Sequence, residues 1–538
     1  CRAEGQEAEG TRPGVPIRWG QGTSHKDVNV NVGHAGKHRN GMITTARTAA
    51  LAVVALALAL AAAPVAADLT APVKQIVEAA GLRGTQVSVC VMDTESGAVL
   101  AAIEPDEPMI PASNMKLLTT ASALDVLGPD FVFKTQLLLL GQEGGAARLL
   151  VRGDGDPAFG DPRLLEDEKL NVEELLAWWV TGVKDKGVTR VSELVVDDRV
   201  FDRTFVHETW PDDQLNLWYC AQVAGLTFYD NTIDVMPEPT REDQAPSIRL
   251  TPEAPFLATT NRAVTGKADT FWISRKDGGN ELTFWGKVKS RRSEAVPVTI
   301  HDPPIFFAQV LSHRLGVAGM PVQVIRRLDY SDEAPRGEPV RVVQTPLALV
   351  LQRCNRDSQN LFAECLLKRM GHAMTGAPGS WENGAAAMRT ALRQRLGPRS
   401  VAFHVADGSG MSRDNQVTAH AMTELLRSVR NDARVWPAFR ESLSEGGRHG
   451  TLRRRFDERQ FKGLVLGKSG YLNGVSGLSG FLIVPDPDAP GGERTFAFSL
   501  LFNGFKPPIY NHHIKNVQDQ IVQLFDRQYA KATTAAER

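Results

Sequence analysis

The chain has 538 residues, of which 42% are hydrophobic and 23% charged, and its formal net charge at pH 7 is −1. This length is sufficient for two or more domains that each bury a core. The nearly equal numbers of basic and acidic residues argue against a broad surface for nucleic acid or anionic membrane, so we expect a small, specific substrate.

The first 67 residues precede the predicted folded part and divide into two segments. Residues 1–41 show no hydrophobic period, so we interpret them as translated upstream sequence or a disordered segment, with the native start at Met42. Residues 42–67 combine a charged start, an apolar run and a small-residue end, which is typical of a signal peptide. The apolar run is short for a membrane span. The sequence therefore predicts an exported protein of the periplasm or cell envelope, with at most peripheral membrane association.

The first predicted elements of the mature chain are a helix, a hairpin and a second helix. Residues 69–80 have the spacing of a short amphipathic helix. Residues 85–92 alternate as a strand, and residues 99–102 return as its hairpin partner. Pro111-Ala112-Ser113 then opens a helix that runs to about Leu127, where a Gly-Pro pair stops it.

The pattern of predicted secondary structure changes at about residue 133. Up to residue 341 it consists of many short strand-like runs divided by Gly, Pro and Asp turns, which predicts a β-rich insert of one or two small domains. The helical period then returns, followed by late strands and a terminal helix. We expect helices near 346–354, 358–370, 384–396, 418–430 and 514–525, and strands near 463–466, 477–484 and 495–503.

This order of elements predicts one catalytic domain that is interrupted in the chain. Its two parts are residues 68–135 and 342–530, and the inserted segment between them is residues 136–341. Residues 531–538 are predicted to be a disordered tail.

A serine and a lysine stand three residues apart in Ser113-Asn114-Met115-Lys116, at a predicted helix start. Such residues project from one face of a helix, so an unprotonated Lys116 amine could take the proton of the Ser113 hydroxyl. The helix N-terminus would favour the negative charge that develops. About one such match is expected by chance in a chain of this length, so this motif alone does not identify an enzyme.

A second motif, Ser358-Gln359-Asn360, leads into another predicted helix. The Ser358 hydroxyl could relay a proton to a leaving amine, and the Asn360 amide could bind a peptide carbonyl of the substrate. Taken alone, the motif is far more typical of a serine that caps a surface helix.

A third motif, Lys468-Ser469-Gly470, lies on or just after a predicted strand. The Lys468 cation could hold an anionic substrate terminus and lower the pKa of Lys116 by like-charge repulsion. The Ser469 hydroxyl could bind a carboxylate, and Gly470 would let substrate backbone pack closely. The alternative is a solvated lysine beside a turn.

The three motifs, in this order and on these elements, are the signature of the penicillin-recognising serine enzymes. The sequence over 110–124 closely resembles the nucleophile region of the DacB-like family, the class C low-molecular-mass penicillin-binding proteins, and so does the stretch 407–413. Residues 153–157 and 358–364 are similar too. The resemblance covers most of residues 70–525, and a large insert between the first two motifs is a feature of that family.

The resemblance implies a serine D-alanyl-D-alanine carboxypeptidase, often also an endopeptidase that cuts peptide cross-links. Its fold would be an α/β (α+β) transpeptidase domain like that of penicillin-binding proteins and β-lactamases, with an antiparallel sheet flanked by helices. Its partners would be peptidoglycan stem peptides, with β-lactam antibiotics as covalent inhibitors and no cofactor. The implied roles are nucleophile for Ser113, base for Lys116, proton relay for Ser358, amide contact for Asn360, carboxylate binding for Lys468 and Ser469, close substrate packing at Gly470, and an oxyanion hole from the N–H groups of Ser113 and Tyr471.

The third motif departs from the family pattern, which usually reads Lys-Thr-Gly-Thr. Ser469 keeps a hydroxyl, whereas Tyr471 loses one and adds bulk. Acylation need not suffer, because position 471 contributes a backbone N–H. We expect the effect in recognition of the terminal carboxylate, and so in the preference between carboxypeptidase and endopeptidase substrates.

Two other functions share much of this pattern. A serine β-lactamase would use the same acylation residues, but we find no glutamate on a separate loop that could activate water, and the long insert disfavours this function. A non-catalytic protein that only holds wall peptides is disfavoured by the intact Ser113 and Lys116. Glu364 is expected to be structural, and no Cys or His spacing predicts a zinc site.

Overall fold

The computed structural model describes residues 17–18 and 68–530. The predicted signal peptide and C-terminal tail lie outside the described residues, as does the segment 1–41 apart from residues 17–18. Those two residues form a short strand that pairs in parallel with Val343 and Gln344.

Of the helices after the second predicted junction, all but the one at Trp436–Ser442 were predicted and lie close to their predicted bounds. Three further helices lie inside the inserted segment. The α-helices of the described residues are α1 (Thr70–Ala79), α2 (Met115–Val126), α3 (Pro162–Asp167), α4 (Val172–Asp185), α5 (Pro303–Val317), α6 (Leu347–Arg356), α7 (Asn360–Thr375), α8 (Trp381–Leu396), α9 (Ala419–Arg430), α10 (Trp436–Ser442) and α11 (Asn511–Tyr529). None of them is both long and apolar enough to cross a membrane.

The strands form two six-stranded sheets and three smaller ones. Those of the described residues are β1 (Ile17–Arg18), β2 (Gln86–Asp93), β3 (Val99–Ile103), β4 (Val132–Glu143), β5 (Ala146–Arg152), β6 (Arg190–Asp197), β7 (Thr232–Glu238), β8 (Ser247–Thr251), β9 (Thr259–Asn261), β10 (Val264–Thr265), β11 (Trp272–Arg275), β12 (Leu282–Trp285), β13 (Lys287–Val288), β14 (Val296–Thr299), β15 (Ile325–Arg327), β16 (Glu338–Pro346), β17 (Ser444–Glu445), β18 (Leu464–Leu472), β19 (Val475–Pro485) and β20 (Glu493–Asn503).

One sheet has the strand order β17-β18-β19-β20-β2-β3 and is antiparallel throughout. Its central strands are buried on both faces because side chains alternate between two cores. Phe496 and Phe498 of β20 join the core beneath α1 and α11, whereas Ala497 and Leu501 join the core shared with α2 and α9. This architecture of an antiparallel sheet flanked by helices is the one predicted.

The second large sheet is mixed, with the order β1-β16-β4-β5-β6-β15. Its antiparallel neighbours β16 and β4 are the strands in which the predicted junctions at 135/136 and 341/342 fall. The chain thus enters and leaves this region through two paired strands. The division into a catalytic domain and an insert stays a prediction.

The inserted segment contains three helices that the sequence reading missed. In α4 the buried side chains of Val172, Leu175, Leu176, Trp179 and Val183 have helical spacing, and the helix start carries a complete capping box. The apolar residues of α4 recur with a helical period in the sequence, but the short strand-like runs on either side led to a prediction of strands only.

Candidate active site

Ser113 lies in a single 3₁₀ turn, Ala112–Asn114, directly before α2. The sequence reading placed the α-helix start at residue 111, but Ala112 has a left-handed φ of 47° and the regular helix begins only at Met115. Two glycines make room for this turn. A Cβ on Gly410 would lie 1.8 Å from the Ala112 carbonyl oxygen, and one on Gly470 would lie 2.9 Å from the Ser113 nitrogen.

Lys116 is fully buried one turn after Ser113, and its Nζ has three partners. These are Ser113 Oγ at 3.1 Å, Asn360 Oδ1 at 2.7 Å and the Ser409 carbonyl oxygen at 2.8 Å. The last two can only accept hydrogen bonds, so a neutral amine would donate its two N–H groups to them. Its lone pair would then face the Ser113 hydroxyl, which is the arrangement of a general base.

Burial lowers the pKa of Lys116 to about 8, although the charges of Cys354, Asp407 and Glu364 oppose the change. The pKa of Lys468 is lowered well below its usual value, first by burial and then by the charge of Lys116. The expected repulsion between the two lysines is therefore present. The main cause of the low pKa of Lys116, however, is loss of solvent and not the charge of Lys468, which corrects the sequence-based explanation.

Ser358 and Lys468 form a second hydrogen-bonded pair beside the first. Lys468 Nζ donates to Ser358 Oγ at 2.9 Å and to the Ser469 carbonyl oxygen at 2.6 Å. Ser358 has a left-handed φ of 62°. Lys468 is fully buried and its Nζ contacts the Ser358 hydroxyl, so its predicted contact with a substrate carboxylate stays a prediction.

Both ends of the Asn360 amide have partners within the protein. Its Oδ1 accepts from Lys116, and its Nδ2 donates to the carbonyl oxygen of Tyr219 at 2.8 Å. Asn360 therefore orients Lys116 through a backbone group of the inserted segment. Its predicted contact with a substrate carbonyl stays a prediction.

A buried glutamate holds the loop that supplies the Ser409 carbonyl to Lys116. Glu364 accepts from the backbone nitrogens of Gly408 at 3.0 Å and Ser409 at 2.8 Å, and from Trp381 Nε1 at 2.8 Å. Burial, with the charge of Asp407, raises the pKa of Glu364 to about 7. Its position within the core agrees with the structural role expected for it.

The inserted segment also contacts this loop from the other side. Trp210 Nε1 donates to Asp407 Oδ2 at 3.0 Å, and Thr209 Oγ1 donates to Ser412 Oγ at 2.7 Å. Asp407 in turn accepts from the backbone nitrogen of Ser412 at 2.7 Å. Thr209 and Trp210, which precede the predicted junction at 341/342, therefore help to hold the loop beside Lys116 that follows it.

A cleft of about 560 Å³ is lined by both Ser113 and Ser358. Of the predicted site residues, Ser113, Ser358, Asn360 and Tyr471 line it, whereas Lys116, Lys468, Ser469 and Gly470 do not. The sequence reading missed the walls contributed by the inserted segment and by the loop after Asp407. These walls are Thr209, Pro211, Gln214, Trp218, Tyr219, Gly410, Met411 and Arg413, with Leu472 and Asn473 beside Tyr471.

Two signals in the sequence could have found some of these residues. The run that contains Trp210, Trp218 and Tyr219 is rich in aromatic side chains, which are typical of ligand sites. The stretch 407–413 carried the family resemblance, but no role was assigned to it. Arg413 brings a permanent charge to the cleft wall, where its Nη2 donates to the Asn473 carbonyl oxygen at 2.7 Å.

The third motif lies on β18, where side chains alternate. Lys468 and Gly470 are buried, while Ser469 is partly buried and Tyr471 is 55% exposed in the cleft. On its outer side β18 pairs with β17 only at Leu466 and Gly467. Among the described strands, none pairs with this edge over residues 468–472, and Tyr471 and Leu472 of this stretch line the cleft.

Neither a metal cluster nor a disulfide is found in the part of the chain that the structure describes. No group of three or more His, Cys, Asp or Glu side chains there could hold a metal ion. Cys90, Cys220, Cys354 and Cys365 are free and buried. The last two lie on separate helices, α6 and α7.

Comparison with known proteins identifies relatives of the whole described region. Residues 69–528 match the profile of the D-Ala-D-Ala carboxypeptidase 3 (S13) family. The chain is 30% identical over 473 residues to a D-alanyl-D-alanine carboxypeptidase of Actinomadura sp. (strain R39), which covers 82% of each chain. It is 22% identical over 439 residues to D-alanyl-D-alanine carboxypeptidase DacB of Haemophilus influenzae, covering 78% of this chain and 86% of that one.

A solved structure shares the fold. The crystal structure of penicillin binding protein 4 (dacB) from Haemophilus influenzae superposes with a TM-score of 0.68 at 21% identity, over 85% of this chain and 99% of that one. The same protein complexed with a β-lactam superposes with a TM-score of 0.63 at 20% identity. The predicted fold class is therefore confirmed.

Proposed function

Because the chain belongs to the D-Ala-D-Ala carboxypeptidase 3 (S13) family, we propose that it cleaves the D-Ala-D-Ala terminus of peptidoglycan stem peptides through an acyl-enzyme on Ser113. The observation that carries this proposal is the contact between the Ser113 hydroxyl and the buried amine of Lys116. The low pKa of Lys116 leaves about one tenth of the amine neutral at pH 7, because each unit below the pKa reduces that fraction about tenfold.

Acylation begins when neutral Lys116 takes the proton of Ser113, whose Oγ attacks the carbonyl carbon of the penultimate D-alanine. The negative charge that develops on the carbonyl oxygen is stabilised by the backbone N–H groups of Ser113 and Tyr471. The close approach of Gly470 to the Ser113 nitrogen supports this assignment, because it brings β18 alongside the turn of the nucleophile.

The leaving D-alanine needs a proton on its amine when the peptide bond breaks. Ser358 donates its hydroxyl proton to that amine and is reprotonated by the ammonium of Lys468, which lies 2.9 Å away. The lowered pKa of Lys468 makes its ammonium a stronger acid than an exposed lysine. Mutual repulsion favours one positive charge on the lysine pair, and acylation proceeds from the fraction of molecules in which Lys116 is neutral and Lys468 is charged.

Deacylation restores both lysines. Water attacks the acyl carbon and loses a proton to Ser358, which passes a proton back to Lys468. Ser113 Oγ leaves the carbon and recovers the proton held by Lys116. Each catalytic cycle hydrolyses one peptide bond with one water molecule. It leaves the two serines and the two lysines in their starting protonation states.

The proposal extends to substrate preference and location. We assign the terminal carboxylate to the end of the cleft lined by Tyr471, which lies two residues after Ser469 on β18. The walls from the inserted segment are assigned to the preceding residues of the stem peptide. The unpaired edge of β18 suits an extended peptide that adds as a further strand. Cross-linked peptides are the second substrate class to be measured. These substrates place the enzyme in the cell envelope.

Intact mass of the protein after incubation with benzylpenicillin tests the acyl-enzyme. The parent chain should gain the full mass of the antibiotic, because opening of the lactam ring releases no leaving group, and Ser113→Ala should gain nothing. The parent should also release D-alanine from a stem pentapeptide. An absent adduct with intact antibiotic would favour a binding protein, and an absent adduct with hydrolysed antibiotic would favour a β-lactamase.

A further inference from the structure

A small three-stranded sheet within the inserted segment carries two tryptophans on its outer face. Its strands have the order β11-β12-β9, and the register opposes Trp272 to Trp285 and Ser274 to Thr283. Thr260 of β9 stands beside Thr283. These side chains share one face, because residues directly opposite each other in a sheet point the same way.

The inner face of the same sheet is an ordinary core. Leu282 and Phe284 of β12 are each 1% exposed, and Phe284 stacks against Phe271. Since β12 alternates, the outward positions would be expected to hold polar side chains. Trp285 of β12 and Trp272 of β11 stand on the outward side instead, and Trp272 is 53% exposed.

The two outward indoles form a fixed platform. Their ring centroids lie 5.6 Å apart with an interplanar angle of 10°, so the rings are nearly parallel and offset. Trp285 Nε1 donates to Ser274 Oγ at 3.0 Å, and the guanidinium of Arg262 lies 5.2 Å from the centroid of the Trp285 ring. Because Trp285 is held on both sides, Trp272 presents one ring face to solvent in a defined orientation.

This part of the chain is positively charged, whereas the whole chain is nearly neutral. Residues 259–292 hold eight Lys or Arg and three Asp or Glu, an excess of five positive charges, against a net charge of −1 for the full chain. Lys287, Lys289 and Arg291 follow directly after the Trp285 strand and are exposed, and Arg292 beside them is partly buried. The surface therefore combines an aromatic plane, hydroxyl groups and cations.

We propose that this face, formed by Trp272, Trp285, Arg262, Ser274, Thr260 and Thr283, binds the glycan strand of peptidoglycan. A pyranose ring has an apolar face of C–H groups that packs on an indole and a rim of polar groups that bonds to hydroxyl side chains. Carboxylates of the muramic acid residues, or of the peptides attached to them, pair with Arg262 and the neighbouring cations.

The proposal rests on the proposed function, because the glycan is the polymer that carries the stem peptides cleaved at Ser113. Binding at two places on one polymer raises the effective concentration of the peptides at the cleft. Small soluble peptides gain nothing from such a site. The face should therefore affect polymeric substrate only.

The test measures binding of peptide-free glycan strands and of chitohexaose by calorimetry. Full-length Ser113→Ala protein is used, so that binding is measured without turnover. Adding Trp272→Ala should weaken binding of both glycans about tenfold, since a stacked aromatic contact is lost. Adding Arg262→Ala should weaken only the strands that carry muramic acid carboxylates. Tyr510→Ala, which removes an aromatic side chain that is 52% exposed, is the matched control and should leave both affinities unchanged.

Three results would overturn the proposal. These are an unchanged affinity in Trp272→Ala, an equal loss in Tyr510→Ala, and binding that depends on Trp272 for anionic lipid vesicles or teichoic acid but not for glycan. Thermal melting checks that each variant is folded. In a chain with Ser113 intact, Trp272→Ala should react with benzylpenicillin at the parent rate. A parent chain that fails to react would refute the proposed catalysis, while the glycan measurements would still decide this proposal.

Discussion

Replacing Asn360 with aspartate tests whether neutral Lys116 is the base of acylation. Asn360 Oδ1 lies 2.7 Å from Lys116 Nζ, so the substitution places a carboxylate against a buried amine. An opposite charge at this range raises a lysine pKa by about one to three, and each step of one reduces the neutral fraction about tenfold. Acylation at pH 7 should therefore slow about tenfold to a thousandfold.

The assay is the second-order rate of labelling by a fluorescent penicillin from about pH 6 to about pH 10. For the parent the rate should rise with pH and reach half its maximum near pH 8, the pKa of Lys116. In Asn360→Asp the midpoint should move to higher pH, and the rate should recover toward the parent maximum. Asn360→Ala is the control, because it removes the same acceptor without adding charge.

The pH profiles of the labelling rate should differ between the two variants in midpoint as well as in height. Asn360→Ala should be slower at every pH, with a midpoint close to that of the parent. If Asn360→Asp kept the parent midpoint, or were no slower than Asn360→Ala at pH 7, the assignment of Lys116 as a base that must be neutral would be wrong.

Four further substitutions test other parts of the site and core. Ser358→Ala should slow peptide hydrolysis about a hundredfold to ten-thousandfold in steady-state assays, because the leaving amine loses its proton donor; a normal rate would exclude the relay. Glu364→Gln should lower the free energy of unfolding in urea by about 1–3 kcal/mol, because an amide N–H then faces a backbone N–H. Tyr471→Thr should lower KM for D-Ala-D-Ala peptides about tenfold by placing a hydroxyl on Cβ, close to the backbone, in place of the distant phenol, with little change in penicillin labelling. Burial raises the pKa of Asp156 to about 7, so the unfolded chain releases this proton first and stability should fall as pH rises from about 4 to about 7; Asp156→Asn should remove that dependence, and an unaltered slope would contradict it.

The proposed catalytic residues could be predicted from the sequence because each motif depends on local spacing. Ser113 and Lys116 are three residues apart on one turn, and Lys468 lies on a strand whose alternation is visible in the chain. Most helices from Leu347 onward were predicted to within a few residues because their apolar period is regular, whereas the short helix Trp436–Ser442 was missed. These features need no knowledge of distant contacts.

The contacts that fix Lys116 could not be predicted in this way. Tyr219 contributes a backbone carbonyl, and backbone groups carry no residue signature. The Ser409 carbonyl is aimed by Glu364, which is 45 residues away in sequence. Burial as the main cause of the low pKa of Lys116 is likewise a property of the packed molecule.

The hydrogen bond from Trp210 to Asp407 suggests a way to inhibit the enzyme without a β-lactam. Trp210 and Thr209 brace the loop whose Ser409 carbonyl holds the amine of Lys116. A compound that wedges between Trp210 and this loop would misplace the base and never react with Ser113. Such an inhibitor would contain no lactam ring, so the β-lactamases of resistant bacteria could not hydrolyse it.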